Sequence, residues 1–136
     1  MDLEQMNKAV VEEFRDNGGK VGGNFANIPI LLLTASGAKS GLRRTKPLAY
    51  LADGQRYLII ASFAGAPNNP PWYHNLLADP EAEIEVGTER FKVKPEVLGE
   101  PERTHAFTRV VAAMPVFADY ERKTSRVIPV VALSRR

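Results

Sequence analysis

Two dipeptides, Asp53-Gly54 and Gly87-Thr88, each sit between runs of branched and alternating residues, and they constrain this chain more than any other feature. A glycine-containing connection of two residues leaves no room for a crossover, so the strands that it joins must be antiparallel neighbours. Residues 43 to 51 and Gln55 to Ser62 are predicted to flank the first turn. In the second hairpin, from Glu81 to Leu98, Ile84 falls opposite Phe91, while Glu85 meets Arg90 and Glu83 meets Lys92 on the other face. One face of that hairpin is core and the other is wet. Ile28 to Ala35 is almost continuously apolar and branched, as expected of a strand covered on both faces, and Arg126 to Leu133 reads as a closing strand.

Helical spacing appears in three places. Leu3, Met6, Val10 and Phe14, with Val11 alongside, form a stripe over residues 2 to 17 that Asn17-Gly18-Gly19 ends. This helix is expected to be a lid packed over a sheet; the competing reading is a reversible contact with a membrane, because Lys8 and Arg15 flank the stripe. A glycine-rich loop follows over residues 18 to 27. A second helix is predicted from the Pro70-Pro71 pair, with Asn69 as its cap, and a third over residues 101 to 114, where Ala106, Phe107, Val110, Val111 and Met114 share a stripe. Six short antiparallel strands, an N-terminal helix and two further short helices predict a mainly β (α+β) closed or split barrel, in one domain over residues 1–136. Crossover helices are too few for a doubly wound parallel sheet.

Composition narrows the chemistry. A 136-residue chain with 44% hydrophobic residues can fill one core. Lys+Arg of 18 against Asp+Glu of 16 makes the pI of about 9.0 a small imbalance, not the charge of a polycation. With Cys at 0 there is no disulfide, thiolate nucleophile or iron–sulfur cluster, and with only His74 and His105 no metal site is expected. Redox chemistry would need an organic cofactor. The longest apolar run, Ile28 to Leu33, falls far short of the ~20 residues of a membrane span, so a cytoplasmic protein is expected.

Three stretches carry candidate chemistry. The first runs from Gly37 through Ala38, Lys39, Ser40, Gly41, Leu42, Arg43, Arg44, Thr45 and Lys46 to Pro47 and Leu48. Strand alternation puts Arg44 and Lys46 on one face with Leu48 and Tyr50, and Arg43 on the other. Lys39, Arg44 and Lys46 can therefore converge on a small anion, which Arg grips bidentately. An ordinary solvated turn is the bland alternative. The second runs from Ile60 and Ala61 through Ser62, Phe63 and the small residues after it to Pro71, Trp72, Tyr73, His74 and Asn75. Small residues let a ligand approach the backbone, and a helix N-terminus attracts phosphate or a ring carbonyl. Taken alone, Trp72 reads as a core anchor and His74 as a surface residue. The third, Met114 to Tyr120, places Phe117 and Tyr120 on a loop able to wall an apolar pocket, with Tyr120 a hydrogen-bond donor. Asp119 has no second carboxylate at acid/base spacing and is assigned a structural role.

These stretches, in this order, resemble the deazaflavin-dependent nitroreductase and quinone reductase family from about Asn7 to Leu133. The most specific pieces are Leu33 to Gly41 continuing to Arg44 and Pro47-Leu48, then Asn69 to Leu76, then Arg126 to Val131. The resemblance implies an FMN-binding split-barrel-like fold and the 8-hydroxy-5-deazaflavin coenzyme F-420, with its anionic phosphate and oligoglutamate tail. Lys39 and Arg44 match the family's tail-binding positions, with Arg43 and Lys46 as helpers. Ile60 to Phe63 and Pro71 to Asn75 match segments that hold the phosphate and ring. The position after Ser62, often lysine in relatives, is Phe63 here, and a substrate-loop tyrosine position reads Phe117. The implied activity is hydride transfer to a quinone, nitroaromatic or activated enone, with Tyr120 and Ser62 orienting the acceptor and the cofactor carrying the chemistry. A menaquinone-like quinone is the implied small-molecule partner. A monomer or weak homodimer is expected, with peripheral contact at the inner face of the membrane through the first helix. The rival readings are an FMN enzyme of the same architecture, a non-catalytic deazaflavin carrier and a nucleic-acid module. For the last, the chain lacks an extended basic stripe with interleaved aromatics, and no nucleic acid is expected.

Overall fold

A computed structural model describes residues 3–23 and 27–136. Of the expected first helix and the loop after it, positions 1, 2 and 24 to 26 lie outside the described residues, as does the side chain of Leu3. The elements are α1 (Leu3–Asp16), β1 (Ile30–Ser36), β2 (Arg43–Asp53), β3 (Arg56–Ile60), α2 (Pro71–Ala78), β4 (Ala82–Val86), β5 (Glu89–Val97), α3 (Glu102–Ala113), α4 (Val116–Arg122) and β6 (Val130–Arg135). The strands form a closed barrel in the order β1-β2-β3-β6-β5-β4, with β1 pairing β4 and every pairing antiparallel.

The hydrophobic pattern explains the closure. β1 uses both faces: Leu31, Leu33 and Ala35 point into the barrel with Ile59, Ile84, Val93, Val131 and Leu133, while Ile30 and Leu32 face outward under α1. Phe14 and Val11 of α1 cover that outer face, and Arg15 fixes the helix by a two-pronged grip on Glu85 at 3.1 and 2.9 Å. The helix is therefore a lid, as its stripe predicted. On the opposite outer face, Ala106, Phe107 and Val110 of α3 pack with Met114 and Phe117 on Leu58, Ile60, Val130 and Ala132. Trp72 and Leu76 of α2 close one end of the barrel interior. The other end is plugged by Tyr50, Tyr57 and Phe91, whose ring centroids step 5.6 and 5.9 Å apart. Desolvation there pushes the Tyr50 phenol above its ordinary value.

The predicted hairpin register is present, with Ile84 against Phe91 and Glu85 against Arg90. Its ion pairs are diagonal, however: Arg90 bonds Glu83 at 2.5 Å, because Glu85 is taken by Arg15. Three further expectations are corrected. The Met114 to Tyr120 stretch is not a loop, for Pro115 starts α4 and the Phe117 and Tyr120 rings meet edge-on at 5.6 Å across one helical turn. Among the described residues there are thus three α-helices beyond the first, not two. Asn69 does not cap α2; Pro70 occupies that position and no side chain bonds there. The last strand begins at Val130 and not at Arg126, because Arg126 is turned inward to other partners.

The first hairpin turn falls one residue later than expected: Asp53 pairs with Arg56 as the last rung of β2 and β3, which leaves Gly54-Gln55 as the turn, and Asp53 ties it to α3 by charge. Asp53 accepts from Arg56 at 2.6 Å and from Arg109 at 2.7 Å, and Arg56 also reaches Glu102 at 3.0 Å. The hydrogen bonds from Arg109 and Arg56 hold the Asp53 carboxyl below the usual carboxylate range. A carboxyl with a depressed folded value adds stability above its unfolded value near ~4, and that stability is lost as pH falls through the folded value. Asp53→Asn is therefore expected to lower unfolding stability by about 1–2 kcal/mol at neutral pH, with the gap to the wild type closing below about pH 4. Urea unfolding of both proteins at neutral and acid pH reads this; a gap that persists in acid contradicts it.

Candidate functional site

β2 outruns β3. It pairs with β1 from Arg43 to Ala49 but with β3 only from Tyr50 to Asp53, so one edge of residues 43–48 has no strand beside it among the described residues. The space left by the missing strand is a cavity of about 270 Å³, bounded by Lys46 to Ala49, Ile60, the segment from Ser62 to Ala64, Pro70 to Trp72, Phe117 and Tyr120, with Asn7 of α1 at its border. The predicted residues Lys46, Pro47, Leu48, Ile60, Ser62, Phe63, Pro71, Trp72, Phe117 and Tyr120 thus meet around one volume. Ala61 does not reach it, being buried in the barrel interior.

The basic turn joins this cavity from one side. The backbone N–H of Ala38 donates to Asn75 Oδ1 at 2.9 Å, so the β1–β2 turn is pinned to α2 and the first two candidate stretches become one structure. Gly37 closes the turn, where a Cβ would come within 2.6 Å of Ser40 Oγ and 3.8 Å of Arg44 Nε. In the β1–β2 register, Arg44 lies beside Ala35, Lys46 beside Leu33 and Leu48 beside Leu31, so all three share the inward face. Spaced by about 6.6 Å per two residues, they form a row leading from the exposed turn to the cavity wall.

Partners separate the cations. Every other arginine donates a hydrogen bond or an ion pair: Arg43 is spent on Ser36 and the Glu81 carbonyl, and Arg103 on the Ile128 carbonyl. Among the described residues the Arg44 side chain has no hydrogen bond or ion pair, and Lys39 and Lys46 make no ion pair. The expected grouping of Lys39, Arg44 and Lys46 therefore stands apart from Arg43, whose guanidinium holds β2 to the chain entering β4. Thr45 is likewise occupied, its hydroxyl 2.7 Å from that of Thr34. On α2, Tyr73 is half-buried with its ring edge-on to Trp72, while His74 is exposed.

Two residues at the site carried weaker signals in the sequence. Arg126 is partly buried and donates three times into the segment between β3 and α2: Nη2 to the Ser62 carbonyl at 2.9 Å, Nε to the Ala66 carbonyl at 3.1 Å and Nη1 to Asn69 Oδ1 at 2.6 Å. Burial lowers its value from that of a free guanidinium, which still leaves it cationic. Asn69 is its acceptor and not a helix cap. A lone arginine before a strand looks like any surface cation, and nothing local distinguishes it.

Comparison with known proteins identifies the family and the fold. The family described as F420H(2)-dependent quinone reductase matches residues 6–135. An F420H(2)-dependent quinone reductase of Mycobacterium tuberculosis is 42% identical over 127 residues, covering 90% of this chain and 85% of the relative. Among solved structures, one described as an F420-H2 dependent reductase superposes with a TM-score of 0.72 at 36% identity, over 78% of this chain and 94% of its own. Another, described as a domain-swapped dimer, gives 0.73 at 33% identity over 96% and 95%. With the match spanning nearly the whole chain, the chain belongs to the F420H(2)-dependent quinone reductase family.

Proposed function

We propose that the basic turn and the cavity together hold coenzyme F-420 and a quinone, and that Arg44, Lys39 and Lys46 receive the coenzyme's anionic tail. The observation that carries this reading is Arg44: an arginine whose side chain has no partner among the described residues, beside a turn pinned by Asn75, at the head of a row that enters a largely apolar cavity. The residues present fit such a ligand. Charge lies outside where a phosphate and carboxylate tail stays hydrated, and aromatic and apolar walls lie inside where a planar ring is desolvated. When bound, the reduced deazaflavin supplies a hydride, which with one proton converts a quinone to its hydroquinone.

The chain's own part is positioning and exclusion of water. Trp72 and Leu76 seal the barrel end beneath the cavity, and Arg126 holds the Ser62 segment at its rim. Tyr120 and Ser62 border the same volume, and their hydroxyls orient the acceptor carbonyl, with the Tyr120 phenol the donor toward the oxygen that gains a proton. Lys46 adds a cation on the opposite wall. No helix among the described residues is long and apolar enough to cross a membrane. A cytoplasmic protein that meets its quinone at the inner membrane face belongs to this reading, since Met6 stays exposed on α1 near Lys8 while the rest of the described stripe packs inward. A weak homodimer belongs to it as well, supported by the domain-swapped relative.

Fluorescence titration with oxidised coenzyme F-420 beside FMN tests the cofactor. Tight deazaflavin binding and negligible FMN binding are expected, and preference for FMN overturns the reading. Arg44→Ala is expected to weaken deazaflavin binding by roughly 10- to 100-fold, the equivalent of losing ~1.5–3 kcal/mol of charge-assisted bonding, at an unchanged melting temperature. Full affinity in that variant contradicts the tail-binding role. In cosedimentation with anionic lipid vesicles, Met6→Glu should reduce the bound fraction; equal binding by both proteins removes α1 from membrane contact.

A further inference from the structure

Phe63 and Ala64 are consecutive left-handed residues, with φ of 47° and 53°, and no other described non-glycine residue has a positive φ. For a bulky side chain this is an unfavourable conformation that persists only where the surroundings over-determine it. Here they do so from two sides. Arg126 grips the carbonyls of Ser62 and Ala66, one on either flank of the strained pair. Gly65, at φ 84°, brings the segment so close to α4 that a Cβ there would lie 2.7 Å from Lys123 Cβ and 2.9 Å from the Tyr120 carbonyl oxygen. What this clamp holds out is an aromatic ring that borders the cavity while remaining 44% exposed. A ring kept for packing would be buried, and an idle one would leave the backbone free to relax.

We propose that Phe63 is a specificity-determining residue whose ring forms the outer wall against which a planar aromatic acceptor stacks, with Arg126 the positioning residue that presents it. This rests on the reading that the cavity receives the quinone beside the coenzyme's ring. Phe63 borders the cavity with Phe117, Tyr120 and Trp72, and of the cations assigned to the tail only Lys46 reaches that cavity while Lys39 and Arg44 lie outside it. Although the position falls in a segment that the resemblance links to the coenzyme's phosphate and ring, a phenyl ring has no donor to offer a phosphate. The ring therefore acts on the acceptor and not on the coenzyme's charged tail. A face-on aromatic contact discriminates for planar rings over aliphatic bulk.

The test is steady-state reduction of 2-methyl-1,4-naphthoquinone by reduced coenzyme F-420, with coenzyme affinity and melting temperature measured on the same variants. Phe63→Gly suits the left-handed backbone, so its melting temperature should equal or exceed that of the wild type, while KM for the quinone rises about three- to tenfold and coenzyme affinity stays within about twofold. Phe63→Tyr should keep the wild-type KM, and Phe63→Leu should raise it as the glycine variant does. Arg126→Lys should recover part of the KM lost in Arg126→Ala. An unchanged KM in Phe63→Gly, an equal loss of coenzyme affinity, or a Phe63→Leu variant that behaves as wild type overturns the proposal. Failure of the wild type to bind the coenzyme or reduce any quinone would instead overturn the functional reading, and the proposal with it.

Discussion

Closure of the barrel through the β1–β4 pairing is the constraint on which the rest depends. β1 is the strand covered on both faces, and by pairing with β2 on one side and β4 on the other it joins the two hairpins at one seam of the barrel, as β6 joins them at the other. An antiparallel sheet with an exposed edge invites association, and closure removes that edge. It also fixes where an edge survives. Because β3 ends at Ile60 while β2 begins at Arg43, the stretch of β2 that carries Arg44, Lys46 and Leu48 has no strand on its β3 side among the described residues.

That local opening is then furnished by elements that contribute nothing to the barrel's hydrogen bonding. α2 arrives with Trp72 beneath the cavity, α4 brings Phe117 and Tyr120 to its flank, and Asn75 latches the basic turn to α2. Arg126 connects the chain entering β6 to the segment leaving β3, which are neighbours only because β3 and β6 pair. The site is thus a product of the barrel's topology, and its walls come from segments far apart in the chain.

Electrostatics follow the same division. Arg15, Arg56, Arg90 and Arg109 spend their charge on fixing α1, the first hairpin turn, the second hairpin and α3. As partly exposed pairs, each adds modestly to stability and more to register. Arg44 stands outside that economy of partners. A cation kept free in a chain that pairs its other arginines is a better guide to ligand chemistry than the net charge, which is nearly balanced.

The sequence by itself determined six antiparallel strands, the register of the second hairpin and the alternation of faces, while the first turn falls one residue later and the last strand starts four residues later than the sequence suggested. Those properties depend on turn chemistry and two-residue alternation, both local: the Gly87-Thr88 turn and the Ile84–Phe91 pairing were legible without coordinates. The sharing of one face by Arg44, Lys46 and Leu48 was legible for the same reason, and the ordered motifs pointed to the family. Only the tertiary structure decided which charges remain available. Arg43 and Arg44 are adjacent and chemically identical, yet one is consumed by the Glu81 carbonyl across the β4 junction and the other faces open space. The same holds for Arg126, whose three acceptors lie 57 to 64 residues away, and for Phe63, whose strained backbone depends on that clamp. Hydrogen-bond partners across such separations are set by how the closed barrel brings loops together, and no local pattern encodes them.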